Sequence, residues 1–300
     1  MSAARAAADM TVTASRSCPA VTIAAVTAHA LHPWFTSPCV MGIVNTTPDS
    51  FSDGGRYQEA GAVQARLRRL AGDGAAICDI GAESTRPGAD AVSPGEQIRR
   101  LDAVFSSDDV APLPLSVDTS SATVAEYALD HGAVMVNDVT AGRGDPGLLD
   151  LAADRGCGLC LMHMRGEPRT MQDTPHYEDV VAEVRAFLAE RVAAAVRAGV
   201  DESAIVVDPG IGFGKRLSDN IALLANIAEL RSLGVPVLVG VSRKRMFGDL
   251  LGRDVSDRLP ASLAAGLRAV AGGADILRVH DVRETVDALR VWTETDGGTR

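Results

Sequence analysis

The sequence is poor in aromatic residues and in positive charge. Its 300 residues include only two Trp, three Tyr and six Phe, so the core must consist mostly of aliphatic side chains and alanine. The 29 Lys and Arg are outnumbered by 39 Asp and Glu, which gives a net charge of −10. This excess of negative charge argues against a general surface for nucleic acids or anionic membranes. Any phosphate-bearing partner must therefore be bound at a local basic site.

Long apolar runs are absent as well. No window reaches the roughly 18 unbroken apolar residues of a membrane span. The Ala- and Ser-rich start, residues 1–17, lacks the apolar stretch of a secretory signal. We expect residues 1–20 to form a disordered extension, with a transit peptide as the alternative. Residues 21–300 are expected to form one domain, because no Pro/Gly/Ser-rich linker divides them.

Cysteines are few, and their number is odd: Cys18, Cys39, Cys78, Cys157 and Cys160. This usage predicts a reduced, cytoplasmic protein. Cys157 and Cys160 have the spacing of a redox or zinc pair. They lie in a predicted strand, however, where positions i and i+3 point to opposite faces, so we interpret them as buried thiols.

Eight short apolar runs alternate with stretches of helical periodicity. They are Val40–Val44, Ala76–Ile80, Leu113–Val117, Ala133–Val136, Gly158–Met162, Ala204–Val207, Val237–Val241 and Asp275–Val279. Continuous apolarity is typical of parallel strands that are covered on both faces. Eight strand–helix units predict a (β/α)₈ TIM barrel, with a doubly wound sheet as the alternative. No Gly-x-Gly-x-x-Gly turn follows the first run, which disfavours a dinucleotide-binding version. A hairpin over Val21–Leu31 is expected before the barrel.

The intervening stretches repeat apolar residues at helical spacing. Val63, Leu67 and Leu70 fall at i, i+4 and i+7. Two further predicted apolar faces are formed by Val180, Val184, Phe187, Leu188 and Val192, and by Ile221, Leu224, Ala225 and Ala228.

Polar residues follow every predicted strand. In chain order they include Asn45, Glu83 to Arg86, Asp118, Asn137 and Asp138, His163, Asp208, Ser242 to Lys244, and Arg278 with His280. A single one of these would be read as a helix cap or a turn residue. In a barrel all the strand ends meet on one face, where active sites are built. The pattern therefore predicts one shared polar site.

The composition of this site indicates the class of ligand. Arg86, Lys244, Arg278 and His280 supply donors for a phosphate or diphosphate. Asp118, Asn137 and Asp208 supply acceptors and an amide, which suit a flat heterocycle with polar edges. Asn45 and Asp49 offer oxygen ligands for Mg²⁺.

Two local motifs have competing interpretations. Gly210–Lys215 is not a Walker A loop, because the spacing of its glycines is wrong and Arg216 follows the lysine. We interpret it as a glycine-rich loop that lets a flat ring lie close to the backbone. Met162, His163 and Met164 are interpreted as packing at a strand end, with ligand contact as the alternative.

Two long segments carry a resemblance to a known family. Met41–Gly55, with the sequence MGIVNTTPDSFSDGG, and Glu83–Gly88, with ESTRPG, resemble the two signatures of the dihydropteroate synthases of folate biosynthesis, the targets of sulfonamides. Shorter similarities are SVDT at 116–119, VND at 136–138, LMHM at 161–164, DPGIGFGK at 208–215, GVSRK at 240–244 and RVHD at 278–281. The resemblance covers residues 40–294 and implies a (β/α)₈ barrel that forms a cytoplasmic homodimer.

The resemblance also implies an activity and a set of roles. The family condenses a dihydropterin-CH₂-diphosphate with 4-aminobenzoate, which releases diphosphate and requires Mg²⁺. Residues expected to bind the pterin diphosphate are Thr85, Asp118, Asn137, Asp208, Phe213, Lys244, Arg278 and His280. Residues expected to hold aminobenzoate are Phe51, Arg86, Pro87 and Ser242, and Asn45 is the expected Mg²⁺ ligand. Catalysis is assigned to Asp118, Asp208, Lys244, Arg278 and His280.

Two other functions compete with this one. A pterin-binding methyltransferase domain would also grip a reduced pterin with Asp and Asn, but it would not need the Asn45–Phe51 loop or Ser242–Lys244. A non-catalytic pterin-binding paralogue should have lost Asn45, Lys244 or Arg278, and all three are present.

Overall fold

The computed structural model describes residues 35–46, 56–83, 92–105, 113–166, 170–171 and 175–295. Within these ranges eight strands alternate with helices. The strands are β1 (Cys39–Asn45), β2 (Ile77–Gly81), β3 (Leu115–Asp118), β4 (Met135–Asp138), β5 (Gly158–Met162), β6 (Ile205–Asp208), β7 (Leu238–Val239) and β8 (Ile276–Val279). The helices are α1 (Arg56–Gly72), α2 (Pro94–Phe105), α3 (Ala122–Asp130), α4 (Gly147–Arg155), α5 (Val180–Ala198), α6 (Leu217–Ala225), α7 (Ile227–Arg231), α8 (Arg245–Leu251), α9 (Leu259–Ala271) and α10 (Val282–Thr295).

The strands form one parallel ring. Their order is β6-β5-β4-β3-β2-β1-β8-β7, and every neighbouring pair is parallel. A parallel bridge between Val207 and Val237 brings the two ends of this order together. The predicted (β/α)₈ barrel is therefore confirmed, and the doubly wound alternative is wrong because such a sheet would keep two separate edges.

Alternation along the strands divides the apolar core into two parts. Outward residues, such as Val40 and Val44 on β1, pack with the helices in the larger cluster. Inward residues form a smaller cluster of Cys39, Met41, Ile77, Met135, Cys160, Val206, Leu238 and Ile276. Because side chains alternate with a period of two, the residues two positions further along these strands also point into the barrel. Those positions build the site described below.

Two helices match their predicted faces. In α1, Val63, Leu67 and Leu70 are buried in the larger cluster. In α5, Val180, Val184, Leu188 and Val192 are buried, with Phe187 packed against them. The N-terminus of α5 is capped by Asp179, whose carboxylate accepts hydrogen bonds from the backbone N–H groups of Val181 and Ala182.

The predicted apolar face of α6 is wrong in phase. Ile221 is 44% exposed, and Ala225 and Ala228 are exposed as well, whereas Leu224 is buried. The buried positions are Asn220, Leu223 and Leu224 in α6, followed by Ile227 and Leu230 in α7. Asn220 faces inward because its Oδ1 accepts a hydrogen bond from the N–H of Gly212, which outweighs simple apolar periodicity.

The seventh strand is shorter than predicted. β7 covers only Leu238 and Val239, and Val237 contributes an isolated bridge to β6. Pro236 precedes this bridge and has no N–H to donate, although its carbonyl accepts from Val207. Ser242 and Lys244 consequently lie in the loop before α8 rather than directly at a strand end.

The four described cysteines are buried and free. Cys160 belongs to the inward cluster and Cys157 to the outward cluster. Burial raises the pKa of Cys157 to about 11 and that of Cys160 well above its usual value. The pair thus shares no site, as the strand geometry predicts.

Some predictions fall on other parts of the chain. The expected extension at 1–20 and the expected hairpin at Val21–Leu31 lie outside the described residues. Among the helices that the structure does describe, none combines the length and apolarity needed to cross a bilayer.

Candidate active site

A layer of polar side chains lies directly above the inward apolar cluster. Asp79, Asn137, Asp208 and Arg278 each stand two positions after a residue of the inward cluster, on β2, β4, β6 and β8. Asp118 stands two positions after Ser116 of β3, which pairs with the inward Met135. The four acidic and amide residues are buried, and the side chain of Arg278 is 20% exposed. The barrel therefore concentrates charged groups at the carboxyl ends of its strands.

Arg278 is the centre of a hydrogen-bonded network inside the barrel. Its Nε donates to Asp79 Oδ2 at 2.7 Å, and its Nη2 donates to Asp118 Oδ2 at 2.8 Å. The amide Nδ2 of Asn137 donates to the same Oδ2 of Asp79 at 2.8 Å. Four strands are joined by these three bonds. Such charge-assisted bonds fix the side chains before any ligand arrives.

The network shifts the proton affinities of its members. Burial raises the pKa of Asp118 to about 7; the Arg278 guanidinium opposes this, and the carboxylates of Asp79, Asp138 and Glu83 add to it. Burial by itself would lower the pKa of Arg278, but the Asp79 and Asp118 carboxylates outweigh it and raise that pKa. Arg278 is therefore a permanent cation, whereas Asp118 titrates near neutral pH.

Asp208 lies under a second group of cations. Its Oδ1 accepts a hydrogen bond from the N–H of Gly210 at 2.7 Å. Burial raises the pKa of Asp208, while this bond and the positive charges of Lys244, Arg278 and Lys215 limit the rise. The Nζ of Lys244 stands 4.3 Å from the ring centroid of Phe213, which places an aromatic face beside one of these cations.

The glycine-rich loop packs tightly against the end of β5. A Cβ on Gly210 would stand 1.9 Å from the carbonyl oxygen of His163, and one on Gly214 would stand 2.3 Å from that of Arg165. Both glycines have positive φ, at +65° and +61°. No larger residue fits at either position, so both glycines are needed for the loop to pack against the residues after β5. The close approach of a flat ring to this loop stays a prediction.

A buried lysine holds this loop. The Nζ of Lys215 donates to the carbonyls of Gly210 and Phe213, both at 3.0 Å, and lies 2.9 Å from His163 Nδ1. Burial lowers the pKa of Lys215 to about 7, although the Asp208 carboxylate opposes this. Burial and then the charge of Lys215 lower the pKa of His163 to about 2, so its imidazole is neutral. His163 consequently serves as an acceptor for Lys215.

The methionines beside His163 have a packing role. Met162 and Met164 form a small apolar cluster with Val139 and Met171, and Phe213 packs against it. Within the described ranges, no group of three His, Cys, Asp or Glu side chains is arranged to hold a metal ion. The interpretation of this motif as packing fits these contacts.

Ser242 and His280 meet where the loop after β7 lies beside the end of β8. The Ser242 hydroxyl accepts from the backbone N–H of His280 at 3.2 Å and lies 3.1 Å from its Nδ1. The residue after Ser242, Arg243, has φ +57° and pairs with Asp281. These contacts attach the loop after β7 to the end of β8.

Asn45 closes β1 on the same face. Its Oδ1 lies 3.7 Å from the place where a Cβ on Gly81 would stand. Because Gly81 has no side chain, the amide oxygen keeps space around it. A side-chain amide oxygen is a suitable ligand for a hard cation that also binds phosphate oxygens and water.

The two signature loops are only partly covered. The predicted residues Asp49, Phe51, Thr85, Arg86 and Pro87 lie outside the described residues. The base of the second loop is fixed by Glu83, whose carboxylate accepts from the N–H of Val92 at 2.8 Å and from Gln97 Nε2 at 3.0 Å.

The structure brings together six of the predicted residues: Asp118, Asn137, Asp208, Phe213, Lys244 and Arg278. It also adds Asp79 and Lys215, which the sequence analysis does not assign to the site. Asp79 was hidden inside the apolar run of β2, although its spacing of two from Ile77 marks it as inward. Lys215 was visible only as the end of a glycine-rich motif. Chemically, the arrangement offers buried acceptors together with the cations Arg278, Lys215 and Lys244.

Known proteins share this architecture. A family model described as pterin binding enzyme matches residues 41–280. The dihydropteroate synthase of Escherichia coli strain K12 is 45% identical over 262 residues, which are 86% of this chain and 92% of that protein.

Two solved structures extend the comparison to three dimensions. The Xanthomonas albilineans dihydropteroate synthase with 4-aminobenzoic acid has a TM-score of 0.81 and 52% identity, over 87% of this chain and 94% of that one. The enzyme from the same organism in complex with 7,8-dihydropteroate has a TM-score of 0.77 and 48% identity, with the same coverage.

Proposed function

The chain belongs to the dihydropteroate synthase family, a family of transferases, and we propose that it joins a dihydropterin-CH₂-diphosphate to 4-aminobenzoate. The products are 7,8-dihydropteroate and diphosphate. The observation that carries this proposal is the polar layer of Asp118, Asn137, Asp208 and Arg278 at one end of the barrel.

Each substrate is assigned a part of the site. The pterin ring is held by Asp118, Asn137, Asp208, Phe213 and Lys244, which offer acceptors, an amide and an aromatic face. The diphosphate is bound by Thr85, Arg278 and His280, and aminobenzoate by Phe51, Arg86, Pro87 and Ser242. The buried acceptors and Lys244 would thus face the pterin ring, and Arg278 and His280 the anionic group.

The reaction needs charge stabilisation more than proton transfer. The bond between the methylene carbon and the diphosphate oxygen breaks, and its electron pair leaves with diphosphate. Positive charge then spreads over the pterin ring, where the Asp118 and Asp208 carboxylates stabilise it. The lone pair of the aminobenzoate nitrogen forms the new C–N bond, and a proton leaves that nitrogen to water. A positioned aniline requires no strong base.

The proposed metal is Mg²⁺ with Asn45 as its protein ligand. One amide oxygen fits this ion, which commonly completes its shell with substrate phosphates and water. When bound, Mg²⁺ would neutralise negative charge on the departing diphosphate. Arg278 and His280 supply donors for the same group.

A diphosphate-release assay tests the proposed function. We expect saturable release that requires both substrates and Mg²⁺, and that stops when the metal is removed with a chelator. Thermal stabilisation by the pterin diphosphate without release would favour the non-catalytic paralogue instead. Release without 4-aminobenzoate would contradict the proposed condensation.

The rate should depend on pH through Asp118. Its pKa is raised to about 7, so the carboxylate that accepts from the pterin is present above that pH and lost below it. We expect kcat/KM for the pterin diphosphate to fall about tenfold per pH unit on the acid side, because this parameter reports groups of the free enzyme. Initial rates between about pH 5.5 and 9, at saturating 4-aminobenzoate, measure this. A flat profile down to pH 6 would contradict the role of Asp118.

We also propose that the chain forms a homodimer. Leu250 and Leu251 at the end of α8 are each 52% exposed, and Val255 shortly after them is 57% exposed. Such an apolar patch is typical of an interface. Light scattering should give the mass of two chains, and Leu251→Asp should reduce it to one. Val196→Asp, at an exposed apolar position on α5, is the matched control, and a mass of one chain for the unmodified protein would refute the dimer.

A cytoplasmic location is inferred from the thiols. Cys39, Cys78, Cys157 and Cys160 are buried and unpaired with one another, as expected in a reducing compartment.

A further inference from the structure

Asp79 is a buried carboxylate that the proposed roles leave without a function. It is fully buried in the barrel interior on β2. Its Oδ2 accepts hydrogen bonds from both Arg278 and Asn137, whereas its Oδ1 has no partner among the described residues. An unsatisfied carboxylate oxygen in the core is costly. Asp79 is therefore not a residue that folding alone would favour at this position.

The charges around Asp79 do not balance. Two carboxylates, Asp79 and Asp118, share the single guanidinium of Arg278. If Asp79 lost its charge, Arg278 would still be paired with Asp118. The second carboxylate thus adds a negative charge that the ion pair does not need, in a site where positive charge develops on the proposed substrate.

Asp79 also determines the orientation of a neighbouring amide. An ionised carboxylate only accepts, so the Asn137 atom 2.8 Å from it must be the amide nitrogen. The Oδ1 of Asn137 and its second N–H are then left for a ligand. A pterin edge that offers both a donor and an acceptor matches this arrangement.

We propose that Asp79 is a positioning residue for the pterin: it fixes the guanidinium of Arg278 and the amide of Asn137, and it supplies a second negative charge beside Arg278. This inference rests on the proposed function. It assigns to Asp79 no contact with the reacting atoms. Its effects should therefore appear on the pterin side of the reaction and not on the aminobenzoate side.

The first test is Asp79→Asn. An amide oxygen in the place of Oδ2 can still accept from Arg278 and Asn137, so the geometry is kept and only the charge is removed. We expect a modest loss of thermal stability, because the bond from Arg278 is no longer to a charged acceptor. KM for 4-aminobenzoate should be unchanged, and kcat/KM for the pterin diphosphate should be at least about tenfold lower. Asp275→Asn, a buried carboxylate at the other end of the barrel, is the matched control and should keep the kinetics.

The same variant should move the pH profile. The groups that act on the pKa of Asp118 are Arg278 on β8, Asp79 on β2, Asp138 on β4, Glu83 after β2 and, close by, the thiol of Cys160 on β5. Asp79 raises the pKa of Asp118, so its neutralisation should shift the acid limb of kcat/KM to lower pH. An acid limb that stays in place would overturn the electrostatic part of the inference.

The second test exchanges the pair, as Asp79→Asn with Asn137→Asp. In the exchanged pair the amide at position 79 donates to the carboxylate at position 137, and the pair keeps one negative charge. Position 137 then has no side-chain N–H to offer the ligand. We expect restored thermal stability and pterin diphosphate affinity still weaker by about a hundredfold in calorimetry, the loss of two contacts. Recovery of both would show that Asp79 is merely structural. This comparison decides the matter even if the single Asp79 variant does not fold.

The two proposals fail in different ways. If the unmodified enzyme releases no diphosphate, the proposed function fails, while calorimetry with the pterin diphosphate still measures the role of Asp79. If the unmodified enzyme turns over and Asp79→Asn matches it in kcat/KM and in pH profile, the inference about Asp79 fails alone.

Discussion

Asp208→Asn should lower kcat by about 10²- to 10³-fold while leaving the fold almost unchanged. The Asp208 carboxylate is buried in the site. Its attraction to a positive charge is stronger there than in water, because the dielectric constant is low. An asparagine at 208 keeps an oxygen for the N–H of Gly210, so the glycine-rich loop retains its anchor. What is lost is the charge that balances the developing pterin cation. Steady-state diphosphate release measures kcat, and urea unfolding measures stability.

The matched control for this variant is Asp275→Asn. Asp275 is also a buried aspartate, but it lies at the other end of the barrel and binds Arg231, Ser37 and the N–H of Val237. We expect this substitution to lower the free energy of unfolding by about 1–3 kcal/mol, since hydrogen bonds to charged groups contribute that much, without a change in kcat. Wild-type turnover by Asp208→Asn would refute the role given to Asp208.

The barrel could be predicted from the sequence because each strand is buried on both faces. Runs such as Gly158–Met162 have no polar interruption, and the structure has a strand at the same bounds. β7 was the least predictable strand in extent, since Gly240 and Val241 extend the apolar run without joining the sheet. The limits of a strand depend on its neighbours, which the local sequence does not contain.

The polar site was predictable where its residues lie at or next to the end of a strand. Asp118, Asn137 and Asp208 stand at such ends, and the sequence alone indicates them. Asp79 lies within β2, so its role follows from the register that places it beside Arg278, 199 residues later in the chain. Lys215 is similar, because its partner His163 comes from another strand end.

The phase error in α6 has the same physical origin. Periodicity assumes that apolar residues face the core, and Ile221 fits that assumption better than Asn220 does. The structure reverses them because Asn220 binds the N–H of Gly212 in the loop that forms one side of the site. A polar residue on a buried helix face is thus a sign of a nearby functional loop, although the sequence alone does not distinguish it from a surface position.

Arg278→Lys should lower kcat/KM for the pterin diphosphate by about 10²- to 10³-fold, although the charge at position 278 is conserved. The guanidinium reaches Asp79 through Nε and Asp118 through Nη2, at 2.7 and 2.8 Å. An ammonium is a compact point charge and lacks the planar, forked donors that span two carboxylates and also bind diphosphate. Asp79 and Asp118 should then no longer be held at a fixed distance by one side chain. The pKa of Asp118 should rise, because the Arg278 guanidinium lowers it in the unmodified protein.

The matched control is Arg231→Lys, because Arg231 also pairs with a buried aspartate, Asp275, at the opposite end of the barrel. That variant should keep its kinetics within about twofold, well below the 1.4 kcal/mol that a tenfold change represents. If Arg278→Lys kept kcat/KM within about threefold of the unmodified enzyme, the shared guanidinium would not be needed for catalysis. A large loss of kcat/KM in Arg278→Lys, but not in Arg231→Lys, would give the opposite result. If both variants are equally stable to urea, that loss shows that the site requires the geometry of the Arg278 guanidinium and not only its charge.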